Sequence, residues 1–186
     1  RTSLPLRLVS SRAAALRARR PRRSSPAHLA RRKRAPREDE MSEPVPFTQV
    51  DAFTTEPFRG NSAAVVLFEG ERFPSDTYMQ QVAAEMNLSE TAFLLRGGQD
   101  ESEGEPQQHF RLRWFTPSTE VDLCGHATLA SAHALAERGL ARAERPMHFH
   151  TRSGELVATA DADGGDGRRL IKLDFPSNEA REEVEP

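Results

Sequence analysis

The chain has 186 residues, enough for one globular domain and a tail, with 37% hydrophobic residues and a formal net charge of −2. This charge is the average of a basic segment at residues 1–40, with 13 Lys or Arg and 3 acidic residues, and a remainder with 13 basic and 25 acidic residues. An acidic remainder repels phosphate, and no apolar run approaches the roughly 20 residues of a membrane span, so we expect neither nucleic-acid nor membrane binding.

The basic segment at residues 1–40 is rich in Arg, Ser and Ala and has no acidic residue before Glu38. This composition predicts a disordered tail of the kind found in organellar transit peptides. The alternative is that the segment is untranslated, because Met41 stands just before the first predicted strand. A transit peptide would direct the protein to a plastid or mitochondrion, whereas an untranslated segment leaves it in the cytoplasm.

Strands and a first helix are predicted in chain order after the tail. Apolar runs and alternating patterns predict strands at residues 47–53, 63–68, 90–95, 109–115, 147–151, 155–160 and 169–174. Between the second and third of these strands, Pro74 and Ser75 begin a helix and Asn87 ends it. The residues that share its apolar face are Met79, Val82, Ala83 and Met86.

A second helix is predicted from about Gly125 to Arg138, with Gly139 as its C-terminal cap. Its sequence, GHATLASAHALAERG, is small or apolar on nearly every face. A helix of this composition is buried all round, and its small side chains allow strands to approach closely. The sequence therefore predicts an α+β domain in which a strongly curved sheet wraps around this helix.

Glu90 is the first candidate for chemistry, because it lies between a helix end and the apolar stretch ETAFLL. A carboxylate at the start of an apolar strand is poorly solvated, which favours exchange of a proton with a substrate. The alternative is a structural glutamate that is exposed at the strand edge or caps nearby backbone donors. The position alone leaves both alternatives open.

The stretch DLCGHAT, from Asp122 to Thr128, joins a loop to the start of the buried helix. Backbone N–H groups at a helix N-terminus bind anions, and Gly125 allows a ligand to approach the backbone. His126 could donate to a substrate or shuttle a proton, and the helix field is expected to lower the pKa of Cys124. The alternative is that Asp122 caps the helix and its neighbours only pack.

No metal site is expected from the histidines or from the cysteine. His126 and His133 are seven residues apart without an evident third ligand, and His148 and His150 face one side of a strand without a clear carboxylate partner. The single cysteine, Cys124, excludes a multi-cysteine zinc site and an intrachain disulfide, and it suits a reducing compartment.

Four stretches occur in the order and at the spacing of one known family. They are DAF at 51–53 with FRGNSAAV at 58–65, MNLSETAF at 86–93, LRWFTP at 112–117 and LCGHATLA at 123–130. Through them the sequence resembles the phenazine biosynthesis PhzF family over about residues 47–175. The resemblance implies the diaminopimelate-epimerase-like fold, in which two similar domains each wrap a curved, mainly antiparallel sheet around a central helix. Residues 41–186 would be the first of these two domains.

The resemblance also implies a function and a set of site residues. It implies an isomerase that moves a proton on a small carboxylated, cyclic amino-acid-like metabolite without metal or organic cofactor, and a homodimer in the complete protein. The acid/base glutamate of the family corresponds to Glu90. Its substrate-pocket residues correspond to Gly125 and His126, with Asn61 nearby, and Cys124 is included as a substrate-binding candidate.

The sequence also departs from the family pattern. Ser62 stands where the family has proline, which is expected to loosen that turn. The family's second half contributes a Gly-rich loop and a catalytic aspartate, and neither occurs in these 186 residues. Because a cleft needs both walls, we expect this part alone to be inactive. Two alternatives stay open: a binding or regulatory protein that keeps the fold without catalysis, and an epimerase or racemase based on Cys124.

Overall fold

The computed structural model describes residues 4–7, 11–13, 45–56, 58–97, 108–142, 144–161 and 170–175. The strands are β1 (Leu4–Arg7), β2 (Ser11–Ala13), β3 (Phe47–Ala52), β4 (Asn61–Phe68), β5 (Glu90–Arg96), β6 (Gln108–Phe115), β7 (Glu120–Val121), β8 (Met147–Thr151), β9 (Gly154–Asp161) and β10 (Leu170–Asp174). The helices are α1 (Asp76–Met86) and α2 (Gly125–Glu137). Within these ranges, no helix combines the length and the apolar character that a membrane span requires.

All ten strands belong to one sheet, in the order β1-β10-β9-β8-β6-β5-β4-β3-β2, with β7 paired to β6. The pairs β4–β5 and β6–β8 are parallel. The other pairs are antiparallel, so the predicted mainly antiparallel sheet is confirmed. The seven strands predicted after the tail are all present, with ends that differ by one or two residues.

Helix α2 lies inside the curve of this sheet and contacts β3, β4, β5, β9 and β10. Ten of its residues are buried, so nearly every face is covered, as its sequence predicts. Two buried hydroxyls are satisfied inside the helix, because Thr128 donates to the Cys124 carbonyl oxygen at 2.6 Å and Ser131 to that of Ala127 at 2.7 Å. The helix can therefore be buried without leaving these polar groups unpaired.

Helix α1 covers part of the opposite, convex face of the sheet. The Ser75 hydroxyl accepts from the backbone N–H of Tyr78 at 3.2 Å, and Asn87 ends the helix in the left-handed conformation with φ of 49°. Met79 and Ala83 pack in one cluster with Val66, Phe68, Phe93, Leu95 and Phe115. Both predicted ends of this helix are confirmed.

Three strands were not predicted. Strand β7 lies in a predicted loop, where the Glu120 carboxylate accepts two hydrogen bonds from Arg113 on β6, each of 2.7 Å. Strands β1 and β2 pair with β10 and β3 and fall in the segment predicted to be a disordered tail, so the structure departs from that prediction at these seven residues. The rest of residues 1–40 lies outside the described residues.

Enlarging a buried residue of α2 should destabilise the domain. Ala130 is fully buried, so Ala130→Leu forces extra atoms into filled space and should lower the free energy of unfolding by about 1–3 kcal/mol. Glu137→Leu, at the exposed end of the same helix, is the matched control and should change it by less than about 0.5 kcal/mol. Urea denaturation measures both variants, and equal stabilities would contradict the burial of this helix.

Candidate active site

The candidate site lies where three elements begin. Strands β4 and β5 are parallel neighbours and start at Asn61 and Glu90, so both side chains lie at the same end of the sheet. Glu90 is on the face that packs against α2, because Ala92 and Leu94 on the same face belong to the core around that helix. The first turn of α2 places His126 next to Glu90 at this end of the sheet.

Glu90 and His126 form the centre of the site. Glu90 Oε2 lies 3.1 Å from His126 Nε2, and the two side chains are 19% and 9% exposed. Despite this short distance the pair lacks hydrogen-bond geometry, and Glu90 Oε2 has no hydrogen-bond partner among the described residues. A nearly buried carboxylate oxygen in this state can accept a proton from a bound molecule.

The protonation state of His126 follows from its surroundings. Burial lowers its pKa, and the negative charge of Glu90 only partly opposes that shift, so the imidazole is neutral at neutral pH. Cys124 Sγ lies 3.3 Å from Nδ1. A protonated thiol donates to Nδ1, which favours the tautomer with its proton on Nε2, the nitrogen that lies near both Ser89 and Glu90.

The expected lowering of the Cys124 pKa is wrong. The pKa of the Cys124 thiol is instead raised to about 12. Burial is the main cause, and the negative charge of the nearby Glu90 adds to it. Hydrogen bonds from the backbone N–H groups of Ala127 and His126 oppose this shift but are outweighed. Cys124 therefore keeps its proton at neutral pH and is not a reactive thiolate in this state.

Asn61 is tied to the centre of the site through Ser89. The Ser89 hydroxyl lies 2.7 Å from Asn61 Oδ1, 3.0 Å from the Ser62 carbonyl oxygen and 3.5 Å from His126 Nε2. The Ser62 hydroxyl donates to the Asp51 carboxylate, which ties β4 to β3 rather than loosening the turn. Sequence reasoning missed Ser89, although its place beside Glu90 in MNLSETAF was an available signal.

Gly125 and Asp122 have surroundings that the sequence did not indicate. A Cβ atom on Gly125 would lie 2.9 Å from Cζ of Phe175, so the absence of a side chain makes room for this ring. Asp122 does not cap α2, since Cys124 is the N-cap residue and Asp122 instead pairs with Arg152 at 3.3 Å. Nothing in the sequence indicated that Phe175 would reach the site.

Apolar and polar groups of the β3–β4 turn border the site. The ring centroids of Phe53 and His126 are 6.4 Å apart. The turn closes at Gly60, where φ is 87° and a Cβ atom would lie 2.2 Å from the Ala52 carbonyl oxygen, so only glycine fits. An open depression beside it is lined by Phe53, Thr54, Thr55, Glu56 and Arg59.

The central residues also have the composition of a metal site. Glu90, Cys124 and His126 each offer one possible ligand atom, and these atoms lie within 4.8 Å of one another. Ligation by Cys124 requires loss of its proton, which the raised pKa of the thiol opposes. The arrangement is therefore better suited to proton transfer than to holding a metal ion.

Comparisons with known proteins match most of the chain. A profile of the family described as phenazine biosynthesis-like protein matches residues 50–185. An uncharacterized isomerase of Halalkalibacterium halodurans is 50% identical over 140 residues, 75% of this chain and 46% of that protein. Mouse phenazine biosynthesis-like domain-containing protein 1 is 48% identical over 132 residues, 71% of this chain and 42% of that protein. The chain thus spans less than half the length of these relatives.

Solved structures show the same fold. A PhzF family protein of Enterococcus faecalis aligns with 44% identity and a TM-score of 0.51, over 61% of this chain and 39% of that chain. A PhzF family protein of Bacillus anthracis aligns with 33% identity and a TM-score of 0.54, over 67% of this chain and 38% of that chain. The predicted diaminopimelate-epimerase-like fold is therefore confirmed.

Cys124 should react slowly with iodoacetamide in the native chain. A rise in pKa from 9.0 to about 12 lowers the reactive thiolate fraction at pH 8 by about a thousandfold. Because the chain has one cysteine, intact mass reports its modification directly. The control is the same reaction in the urea-unfolded chain, and a native rate close to the unfolded rate would contradict the raised pKa.

Removing the charge of Glu90 should lower the pKa of His126 further. The Glu90 charge favours the protonated imidazole, so Glu90→Gln leaves burial unopposed. A pH titration of the imidazole C–H signals by NMR, with His126 assigned from His126→Gln, measures the shift. Glu137→Gln, at the far end of α2, should leave the value unchanged. A His126 pKa that stays constant or rises in Glu90→Gln would rule out this coupling.

Proposed function

The chain belongs to the phenazine biosynthesis-like protein family, and from this membership and the Glu90 geometry we propose that the complete protein is an isomerase. In this proposal Glu90 is the general acid/base that moves a proton on a small carboxylated, cyclic amino-acid-like metabolite. One observation carries the proposal: a nearly buried Glu90 oxygen without a hydrogen-bond partner lies 3.1 Å from a neutral imidazole.

In the proposed proton transfer, Glu90 and His126 supply the general acid/base and one hydrogen-bond donor. Glu90 takes a proton from a substrate carbon and returns it at another position, so the substrate is rearranged without net gain or loss of atoms. The Nε2–H of His126 stabilises negative charge that develops on the substrate during the transfer. The cycle restores the carboxylate, and in this proposal it uses neither a metal nor an organic cofactor.

The proposed substrate-binding residues surround Glu90 and His126. The backbone N–H group of Gly125 at the start of α2 is suited to a substrate carboxylate, whereas that of His126 is directed to Cys124. Asn61 accepts from Ser89 through Oδ1, which leaves its amide N–H groups as donors toward a substrate. In this arrangement Cys124 acts through His126, by holding the ring in its tautomer and orientation.

The complete cleft requires a second wall. Phe53, Leu123 and Phe175 are 45%, 47% and 39% exposed, so apolar surface beside the site faces solvent. Exclusion of water strengthens the electrostatic interactions on which proton transfer depends. We therefore propose that the 186-residue chain alone is inactive and that the activity belongs to the full-length protein.

The remaining proposals rest on family resemblance and on the composition of residues 1–40. They are a small molecule as the partner, a homodimer in the complete protein, and a cytoplasmic location. If residues 1–40 act as a transit peptide, the location is a plastid or mitochondrion. The Cys124-based racemase is disfavoured by the protonated thiol, and a binding protein without catalysis is the competing function.

Glu90→Gln in the full-length protein should abolish hydrogen exchange on the substrate. The full-length protein is incubated in D₂O with a panel of small cyclic amino acids, and deuterium incorporation is followed by mass spectrometry and NMR. At least one compound should gain deuterium at carbon, and Glu90→Gln should slow this exchange by about 10²–10⁴-fold, the usual contribution of a general acid/base.

Glu137→Gln is the matched control, since it removes a carboxylate from an exposed position on α2. It should exchange hydrogen at the rate of the unchanged protein. Equal exchange by Glu90→Gln would refute the role of Glu90. Binding of panel compounds without any exchange would instead favour the non-catalytic binding protein.

A further inference from the structure

The convex face of the sheet carries a second cluster of chemically active side chains. His109 on β6 pairs in register with His148 on β8, and His150 on β8 pairs with Glu155 on β9. Their strand neighbours Phe110, Phe149 and Leu156 belong to the core around α2. Because side chains alternate along a strand, the three histidines and Glu155 project from the opposite face, away from Glu90.

The side chains of this cluster lie close enough together for their nitrogen and oxygen atoms to contact one common ion. His109 Nδ1 lies 2.9 Å from His150 Nε2, and the two rings differ in plane by 15°. Glu155 Oε1 lies 4.0 Å from His150 Nδ1. One ligand atom from each of His109, His150 and Glu155 can be chosen so that all lie within 4.8 Å of one another.

We propose that His109, His150 and Glu155 bind a divalent transition-metal ion such as Zn²⁺. Two imidazole nitrogens and one carboxylate oxygen are a ligand set that Zn²⁺ accepts, at about 2.0–2.2 Å from each ligand. Ligand atoms of a tetrahedral site are then about 3.3 Å apart. One ligand atom per residue can be chosen with every separation within 4.8 Å, and rotation of the half-exposed His150 and Glu155 side chains would bring the atoms to that value.

His148 supports the proposed site without being a ligand. A carboxylate only accepts, so His148 Nδ1, 3.1 Å from Glu155 Oε1, donates to it. A hydrogen bond of this kind orients a ligating carboxylate, and Oε1 keeps a second lone pair for the metal. His150 and Glu155 are 49% and 45% exposed, so water can supply the fourth ligand.

The hydrogen bond between His109 and His150 is what the metal would replace. One imidazole N–H donates to the lone pair of the other, so a shared proton now occupies the space between the two nitrogens. A metal ion takes its place and accepts a lone pair from each ring, and the imidazole that donated this proton carries it on its other ring nitrogen instead. Binding weakens as the pH falls, since protonated imidazoles cannot ligate.

Arg111 is a cation that lies near the histidine cluster. Arg111 pairs in register with His150, and a guanidinium group beside the metal would oppose binding. Its Cζ atom lies 5.2 Å from the ring centroid of Phe73, and its Nη1 donates to the Glu71 carbonyl oxygen at 3.3 Å. These contacts direct the guanidinium group toward the segment before α1.

The sequence did not predict this site, because its ligands come from three strands. Glu155 follows His150 by five residues, but it is the pairing of β8 with β9 that places its carboxylate beside His148 and His150. The parallel pairing of β6 with β8 adds His109 in the same way.

The proposal is tested by titrating Zn²⁺ into the untagged 186-residue chain and measuring the binding by calorimetry. One Zn²⁺ should bind per chain, and His150→Gln and Glu155→Gln should each weaken binding by at least about tenfold. His133→Gln, on α2 and outside the cluster, is the matched control and should bind as the unchanged chain does. Circular dichroism establishes that each variant is folded.

Three outcomes would overturn the proposal. They are no zinc binding by the folded chain, binding that His150→Gln and Glu155→Gln leave unchanged, and binding that Cys124→Ser abolishes. The last would place the metal at Cys124, and Co²⁺ substituted for zinc would then show a cobalt–thiolate charge-transfer band. Glu90→Gln should retain zinc binding, so failure of the metal site and failure of the proposed proton transfer are distinguishable.

Discussion

The architecture of the site depends on one packing constraint, the burial of a small-residue helix inside a strongly curved sheet. Helix α2 touches five strands, and it can do so because Ala and Ser occupy most of its faces. Its first turn therefore lies where the parallel strands β4 and β5 begin. That meeting point sets the distance between His126 on the helix and Glu90 on the sheet. A larger side chain in the middle of α2 would displace the turn that carries His126.

The same burial decides which groups in the site carry charge. Desolvation keeps Cys124 as a thiol and His126 as a neutral imidazole, because both ionised forms would be poorly solvated beside the core. Glu90 is then the source of negative charge between them, and its charge raises the pKa of both neighbours. This distribution fits a carboxylate that exchanges a proton more closely than it fits thiolate chemistry. In the proposed mechanism, Cys124 and His126 orient the groups around Glu90.

Much of the fold could be predicted from the sequence, because its signals are local. Ser75 and Asn87 mark the ends of α1 through capping, and the uniform small residues of α2 indicate burial from every side. The convergence of Asn61, Glu90 and His126 was predicted from family motifs, since no local pattern places them together. The pKa of Cys124 was predicted in the wrong direction, because burial by residues distant in sequence outweighs the helix field. Strand β7 and the histidine cluster depend on pairing between strands, which the sequence does not specify.

The two proposed sites lie on opposite faces of the sheet, with Glu90 on the concave side and the histidine cluster on the convex side. Chemical rescue of Glu90→Ala in the full-length protein tests the central claim most directly, because it asks whether a carboxylate at this position moves the proton. The account predicts that Glu90→Ala loses substrate hydrogen exchange in D₂O and that added formate restores it in a saturable manner. Exchange by Glu90→Ala at the unchanged rate without formate would contradict the assignment of Glu90 as the proton-transfer group.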